Sequence, residues 1–127
     1  MKKLFISCPM KGRTEENIRK SMKKMHKLAE LVFDEELEVI PSYIEDDPPK
    51  DTNQALFYLG RSIQFMSTAD YFIGLEYADA WKGCSVERNV ASIYNIKSYL
   101  VDPRIIAPEM YECHEAPVMP ADCGAKA

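Results

Sequence analysis

The sequence predicts an α/β protein, a doubly wound, flavodoxin/Rossmann-like parallel sheet of four to five strands flanked by helices and followed by an irregular C-terminal tail. Three observations carry this. Short apolar runs alternate with longer stretches of helical periodicity in the order β-α-β-α-β-α-β, which right-handed crossovers fold into a parallel sheet covered on both faces. The runs at 3–8 and 70–75 are short and largely apolar, as strands buried on both faces are. Finally, 127 residues with 46% hydrophobic and 28% charged side chains suit one ordinary globular core, and neither a disordered, a collagenous nor a coiled-coil chain.

The first strand, Lys3-Leu-Phe-Ile-Ser-Cys8, is stopped by Pro9, which has no N–H for a sheet ladder. Thr14 is placed to cap the first helix, Glu15 and Glu16 complement its positive dipole end, and Ile18, Met22, Met25, Ala29 and Val32 form its apolar stripe. Lys20, Lys23, Lys24 and Lys27 fall largely on the opposite face and read as a solvated surface. Residues 38–41 form the second strand, and the loop at 42–50, with Asp46-Asp47-Pro48-Pro49, suits no regular element. Asp51 or Thr52 caps a second helix with Ala55, Leu59, Ile63 and Met66 inward. A third strand at 70–75 precedes a third helix over 83–94 with Val86, Val90 and Ile93 inward, and 97–101 closes the sheet. Residues 1–101 thus form the α/β domain. Residues 102–127, with four prolines and no periodicity, form a tail packing on it or on a neighbouring subunit.

Charge and composition narrow the function. Sixteen Lys and Arg against twenty Asp and Glu leave a net charge of -4, no general attraction for a nucleic-acid polymer. No window has the apolar length of a membrane span, and the start of the chain, reaching Pro9, Lys11 and Arg13 early, resembles neither a signal peptide nor an anchor. Cys8, Cys84, Cys113 and Cys123 lie far apart and read as free thiols of a cytoplasmic protein. Cys113, His114 and Cys123 offer three ligands without a fourth at normal spacing, so no metal is expected.

In an open parallel sheet the ligand crevice lies beyond the carboxyl ends of the strands, where strand order reverses. That directs attention to residues 7–13 and 76–87. Neither holds a Gly-x-Gly-x-x-Gly or Walker signature. Ser7-Cys8-Pro9-Met10-Lys11-Gly12-Arg13 leads into a helix N-terminus, where Lys11 and Arg13 are either anion ligands or solvated charges beside a turn glycine. The second loop brings the carboxylates Glu76, Asp79 and Glu87, the sole tryptophan, Trp81, and the helix start Gly83-Cys84-Ser85. Glu87, near the positive end of a helix at the crevice, is placed either as an ionised nucleophile or as ordinary dipole complementation. Trp81 is a loop anchor or a stacking platform, and Cys84 a packing residue or a thiolate.

With these residues on the page, the chain resembles the nucleoside 2-deoxyribosyltransferase superfamily, and within it a small, largely uncharacterised branch related to deoxynucleoside 5'-monophosphate N-glycosidases. The likeness covers residues 3–101 and rests on the stretch from Leu4 to Arg13, on Ala69-Asp70, and on Trp81-Lys82-Gly83-Cys84-Ser85-Val86-Glu87. It implies N-glycosidic bond cleavage or base exchange on a 2'-deoxynucleoside or its 5'-monophosphate, with Glu87 as nucleophile, and no cofactor. Ser7, Pro9, Met10, Lys11, Gly12, Arg13, Trp81, Gly83 and Cys84 would contact substrate, with Gly12 and Arg13 matching a turn that holds the 5'-phosphate. Two departures stand out. Where the family places an aspartate, eight residues before Asp70, this chain has Ser62, so protonation of the leaving base falls to Asp79, Glu76, a neighbouring subunit or water, or is missing. A first-strand tyrosine found in some members is absent, with Leu4 and Phe5 there. The alternative is a catalytically weak or inactive nucleotide-binding, sensing protein of the same fold. The resemblance also implies a homo-oligomer, for which the second helix offers Phe57, Tyr58 and Phe65.

Overall fold

A computed structural model describes residues 1–41, 44, 46–78 and 80–111 of the chain. Four parallel strands, β1 (Lys2–Ile6), β2 (Leu37–Val39), β3 (Tyr71–Leu75) and β4 (Lys97–Val101), lie in the order β2-β1-β3-β4. The crossovers are α1 (Glu15–Phe33), α2 (Gln54–Met66) and α3 (Lys82–Ile93). Leu4 pairs with Tyr71 and Ile6 with Ile73, so β1 and β3 are adjacent although β2 lies between them in sequence. Strand order therefore reverses at β1 and β3, and a crevice opens above their carboxyl ends.

The pleat sorts the core into two layers. Leu4, Ile6, Ile73 and Leu75 pack with Met25 and Ala29 of α1, while Phe5 and Phe72 pack with Met66 of α2 and Ala91 of α3. Alternate residues of a strand face opposite sides, so one apolar run feeds both layers. Phe5 and Phe72 stack with centroids 5.9 Å apart. Each such fully buried side chain contributes about 1.5–3 kcal/mol.

Helix ends follow local chemistry. Thr14 caps α1 as the sequence predicts, its hydroxyl accepting from the Asn17 N–H at 3.2 Å. The α2 cap is Asn53 instead of Asp51 or Thr52, its side chain accepting from the Leu56 N–H at 3.0 Å. Asp51 takes a left-handed backbone (φ 61°), and the Thr52 hydroxyl donates to the Pro49 carbonyl at 2.6 Å, so both are spent one turn too early.

The inward face of α3 also differs from the expected stripe. Cys84, Glu87 and Ala91 are buried, whereas Val86 and Ile93 are 37% and 70% exposed, and Val90 is half-buried against the Phe5 layer. A sequence reading that keeps carboxylates out of the core turns this helix by most of a residue. Val32 of α1 is likewise exposed, and its place is taken by Phe33, which stacks on Tyr71 at 4.2 Å.

Just beyond β4, residues 102–111 carry two short helical turns. Asp102 caps a one-turn helix, α4 (Pro103–Ile106), by accepting from the Arg104 N–H at 2.9 Å, with Pro103 at the first helical position. A 3-10 turn, Pro108–Met110, follows. Ile106 and Ala107 are buried, and the Ile106 carbonyl accepts from the Ser21 hydroxyl at 2.6 Å. No helix among the described residues is long and apolar enough to cross a membrane.

Gly74 sits in β3 where an added Cβ would lie 2.5 Å from the Phe72 ring. Because that ring is fully buried and stacked on Phe5, it has nowhere to go. Gly74→Ala is expected to destabilise the fold by about 1–3 kcal/mol, read as a lower urea midpoint. An unchanged midpoint would show that the Phe layer repacks freely.

Candidate functional site

The crevice is built by three segments: the loop after β1, the loop after β3 with the start of α3, and the inner face of α2. The first two are tied together by Trp81, whose buried indole N–H donates to the Lys11 carbonyl at 3.1 Å. Trp81 is thus a loop anchor that also forms cavity wall. Gly12 adopts φ 78°, a backbone that suits glycine, and the turn closes with Arg13 N–H to the Met10 carbonyl at 3.1 Å.

Between these segments lies a cavity of about 510 Å³. Glu87, Cys84 and Gly83 of α3 line it, as do Ala55, Tyr58, Leu59 and Ser62 of α2. Phe5, Met10, Lys11, Trp81 and Lys82 are also on its wall. The volume falls within the range of small-molecule sites.

Glu87 is the buried charge of this cavity. It is 8% exposed, and its Oε1 accepts from the Ser7 hydroxyl at 2.6 Å. The Ser62 side chain, on the cavity wall from α2, acts on the same carboxyl. Ser7 is itself pinned: its N–H donates to the Ile73 carbonyl at 2.9 Å, and its carbonyl faces the Cys84 thiol, Sγ to O 3.8 Å. Burial raises the Glu87 carboxyl above the usual carboxylate range, and the Ser7 and Ser62 hydrogen bonds hold it back down. Glu87 is the sixth residue of α3, beyond the first turn where the helix dipole acts, so burial and the two hydroxyls govern its charge.

The two thiols nearby are chemically quiet. Burial pushes Cys8 up to about 11 and Cys84 up to about 12, so both are protonated near neutral pH.

The structure distributes the other sequence-predicted residues unevenly. Ser62, Met10, Lys11, Trp81, Gly83 and Cys84 line the cavity with Glu87. Ser7 and Pro9 are buried beneath it. Arg13 turns into the fold: its guanidinium pairs with Glu109 at 2.6 Å and donates to the Pro9 carbonyl at 2.8 Å and the Ser21 hydroxyl at 2.6 Å. Its side chain is 1% exposed and is absent from the cavity wall. Glu76 is exposed, its carbonyl accepting from the Arg88 guanidinium. Asp79, Cys113, His114 and Cys123 lie outside the described residues.

Sequence reasoning missed Tyr58, Leu59 and Ala55 as cavity wall and Lys82 as a second cation there. Their signal was the spacing of 55, 58, 59 and 62 on one side of α2, a face read as core or as subunit interface. Among the described residues no cluster of three His, Cys, Asp or Glu side chains could hold a metal ion.

Fold and site together define a class: a doubly wound α/β protein whose strand-switch crevice holds a buried, hydroxyl-bonded carboxylate. No protein-family model, curated protein or solved structure matched the chain.

Because folding raises Glu87 above its unfolded value, its contribution to stability is fully present below the ordinary carboxylate value of 4.5 and is lost as pH rises through the folded value. Glu87→Gln keeps the shape and removes the ionisation. The variant should therefore melt above the wild type at about pH 8, with the gap closing toward about pH 4. Thermal unfolding at the two pH values checks this, and a gap that does not vary with pH contradicts it.

Proposed function

We propose that this cavity binds a 2'-deoxynucleoside or its 5'-monophosphate, and that Glu87 attacks the anomeric carbon to cleave the N-glycosidic bond or exchange the base. The observation that carries the reading is a buried carboxylate, held by the Ser7 hydroxyl at 2.6 Å, in the wall of a cavity of about 510 Å³. A glutamate oxygen bonds to C1', the C1'–N bond breaks, and its electron pair leaves with the base, which takes a proton. Water or a second base then attacks C1' and releases the glutamate. Neither serine hydroxyl is acidic enough to supply the proton near neutral pH. Of the donors the sequence offers, Glu76 is exposed and off the cavity wall, which leaves Asp79, a neighbouring subunit or water for this role.

The walls suit the rest of such a substrate. Phe5, Tyr58 and Trp81 offer apolar faces to a base or sugar, and Lys11 and Lys82 are the cavity-lining cations available to a 5'-phosphate. With the Arg13 guanidinium committed to Glu109, Ser21 and Pro9, the phosphate role moves to Lys11 and Lys82. The setting we propose is the cytoplasm, where Cys8 and Cys84 stay free thiols.

A panel of deoxynucleosides and their 5'-monophosphates, incubated with and without a second free base, tests the proposal by chromatography of released base. The wild type should release or exchange base, and Glu87→Gln should not. Lys11→Ala should impair monophosphates more than unphosphorylated substrates, and an equal loss on both removes the phosphate assignment. Ligand-induced change in Trp81 fluorescence without any base release would instead favour the sensing protein.

We also propose a homo-oligomer built through α2, which leaves Leu56 63% and Tyr58 38% exposed and buries only Met66 fully. Light scattering at micromolar concentration should give a multiple of 14.5 kDa. The mass of one chain would refute it.

A further inference from the structure

We propose that Ser7 is a positioning residue for Glu87: its hydroxyl, fixed at the end of β1, orients the carboxylate and favours its ionised form. This rests on the proposed role of Glu87 for its catalytic meaning, though not for its physical content. Ser7 stood in the sequence as a substrate contact, yet it is 1% exposed and does not line the cavity. What it touches is Glu87, at 2.6 Å.

Three features suit it to that task. Its backbone is locked into the sheet by the Ser7 N–H bond to Ile73 at 2.9 Å, so the hydroxyl starts from a rigid point. The bond joins residues 80 positions apart, linking the end of β1 to the middle of α3. Only an acceptor-only carboxylate uses the hydroxyl proton fully, so the bond favours the ionised form. Ser62, on the cavity wall from α2, acts on the Glu87 carboxyl in the same direction, with Ser7 the larger of the two.

The titratable groups that share the cavity wall with Glu87 among the described residues are Cys8 and Lys11 on the β1 side, Tyr58 on α2, and Lys82 and Cys84 on α3. Substituting Ser7 leaves all of them in place. A change in Glu87 titration on losing the hydroxyl therefore belongs to the hydroxyl.

The test uses the full chain labelled with carbon-13 and follows glutamate carboxyl carbons by NMR as pH varies, with the Glu87 signal identified by its disappearance in Glu87→Gln. Ser7→Ala should raise the Glu87 midpoint by about one pH unit. Ser62→Ala should raise it less. Ser7→Cys, close in size and a weak donor, should fall between Ser7→Ala and the wild type, and it serves alone if Ser7→Ala fails to fold. A midpoint that stays put in the folded Ser7 variants, or that moves more with Ser62→Ala, overturns the proposal. If the substrate panel shows base release, Ser7→Ala should lower kcat roughly tenfold with KM little changed and shift the acid limb of the rate profile upward. If the panel shows none while the midpoint moves as stated, the glycosidase reading fails and the positioning role of Ser7 stands.

Discussion

The 2.6 Å bond between the Ser7 hydroxyl and the Glu87 carboxylate is the contact around which the crevice is organised. Burying a carboxylate costs several kcal/mol in an apolar setting, and that cost is bearable only where donors replace the lost water. A hydrogen bond to a charged group returns about 1.5–3 kcal/mol. The chain supplies such a donor in Ser7 at the end of a strand, with Ser62 standing on a helix of the same cavity wall. β1, α2 and α3 must therefore hold a particular mutual arrangement for the charge to be tolerated. A fold that only needed stability would place alanine at 87 and continue the stripe of Cys84 and Ala91.

The rest of the crevice is held by polar contacts of the same long-range kind. Trp81 bridges to the Lys11 carbonyl, fixing the loop after β3 against the loop after β1. Arg13 then draws that first loop down onto α1 and the 3-10 turn through Pro9, Ser21 and Glu109. The segment after β4 consequently does more than fill surface, since Glu109 neutralises a guanidinium that is otherwise enclosed by protein. Loops that would be adjustable become a preformed rim, which lowers the ordering cost of any ligand that enters.

The order of elements and the switch point were legible in the sequence because each depends on a local pattern, apolar runs alternating with helical periodicity, and Glu87 stood out as a carboxylate in the loop-and-helix segment after the third strand. What was not legible depends on long-range geometry. The rotation of α3 is decided by Glu87 facing Ser7, and a carboxylate in a buried stripe violates the rule that periodicity relies on. The cap of α2 moved to Asn53 because Thr52 bonds backward to Pro49, a choice between two local bonds of similar strength. Likewise α2 read as a core helix with an interface face, whereas its positions 58, 59 and 62 wall the cavity.

Lys11 and Arg13 show most clearly why residue type at a loop does not settle its use. Both stand in the same turn, both are cations, and either suits an anion by charge alone. The planar guanidinium of Arg13 presents several donors in a fixed fork, which matches a set of carbonyl, hydroxyl and carboxylate acceptors arranged around it. Once Pro9, Ser21 and Glu109 occupy that fork, an incoming phosphate would have to displace the Glu109 carboxylate from a buried guanidinium and leave two further acceptors unpaired. The flexible ammonium of Lys11 has no such closed set of partners to lose. Its carbonyl is held by Trp81 while the residue borders the cavity. The turn thus divides its two charges between architecture and solvent, and only the latter is inexpensive to recruit for a ligand.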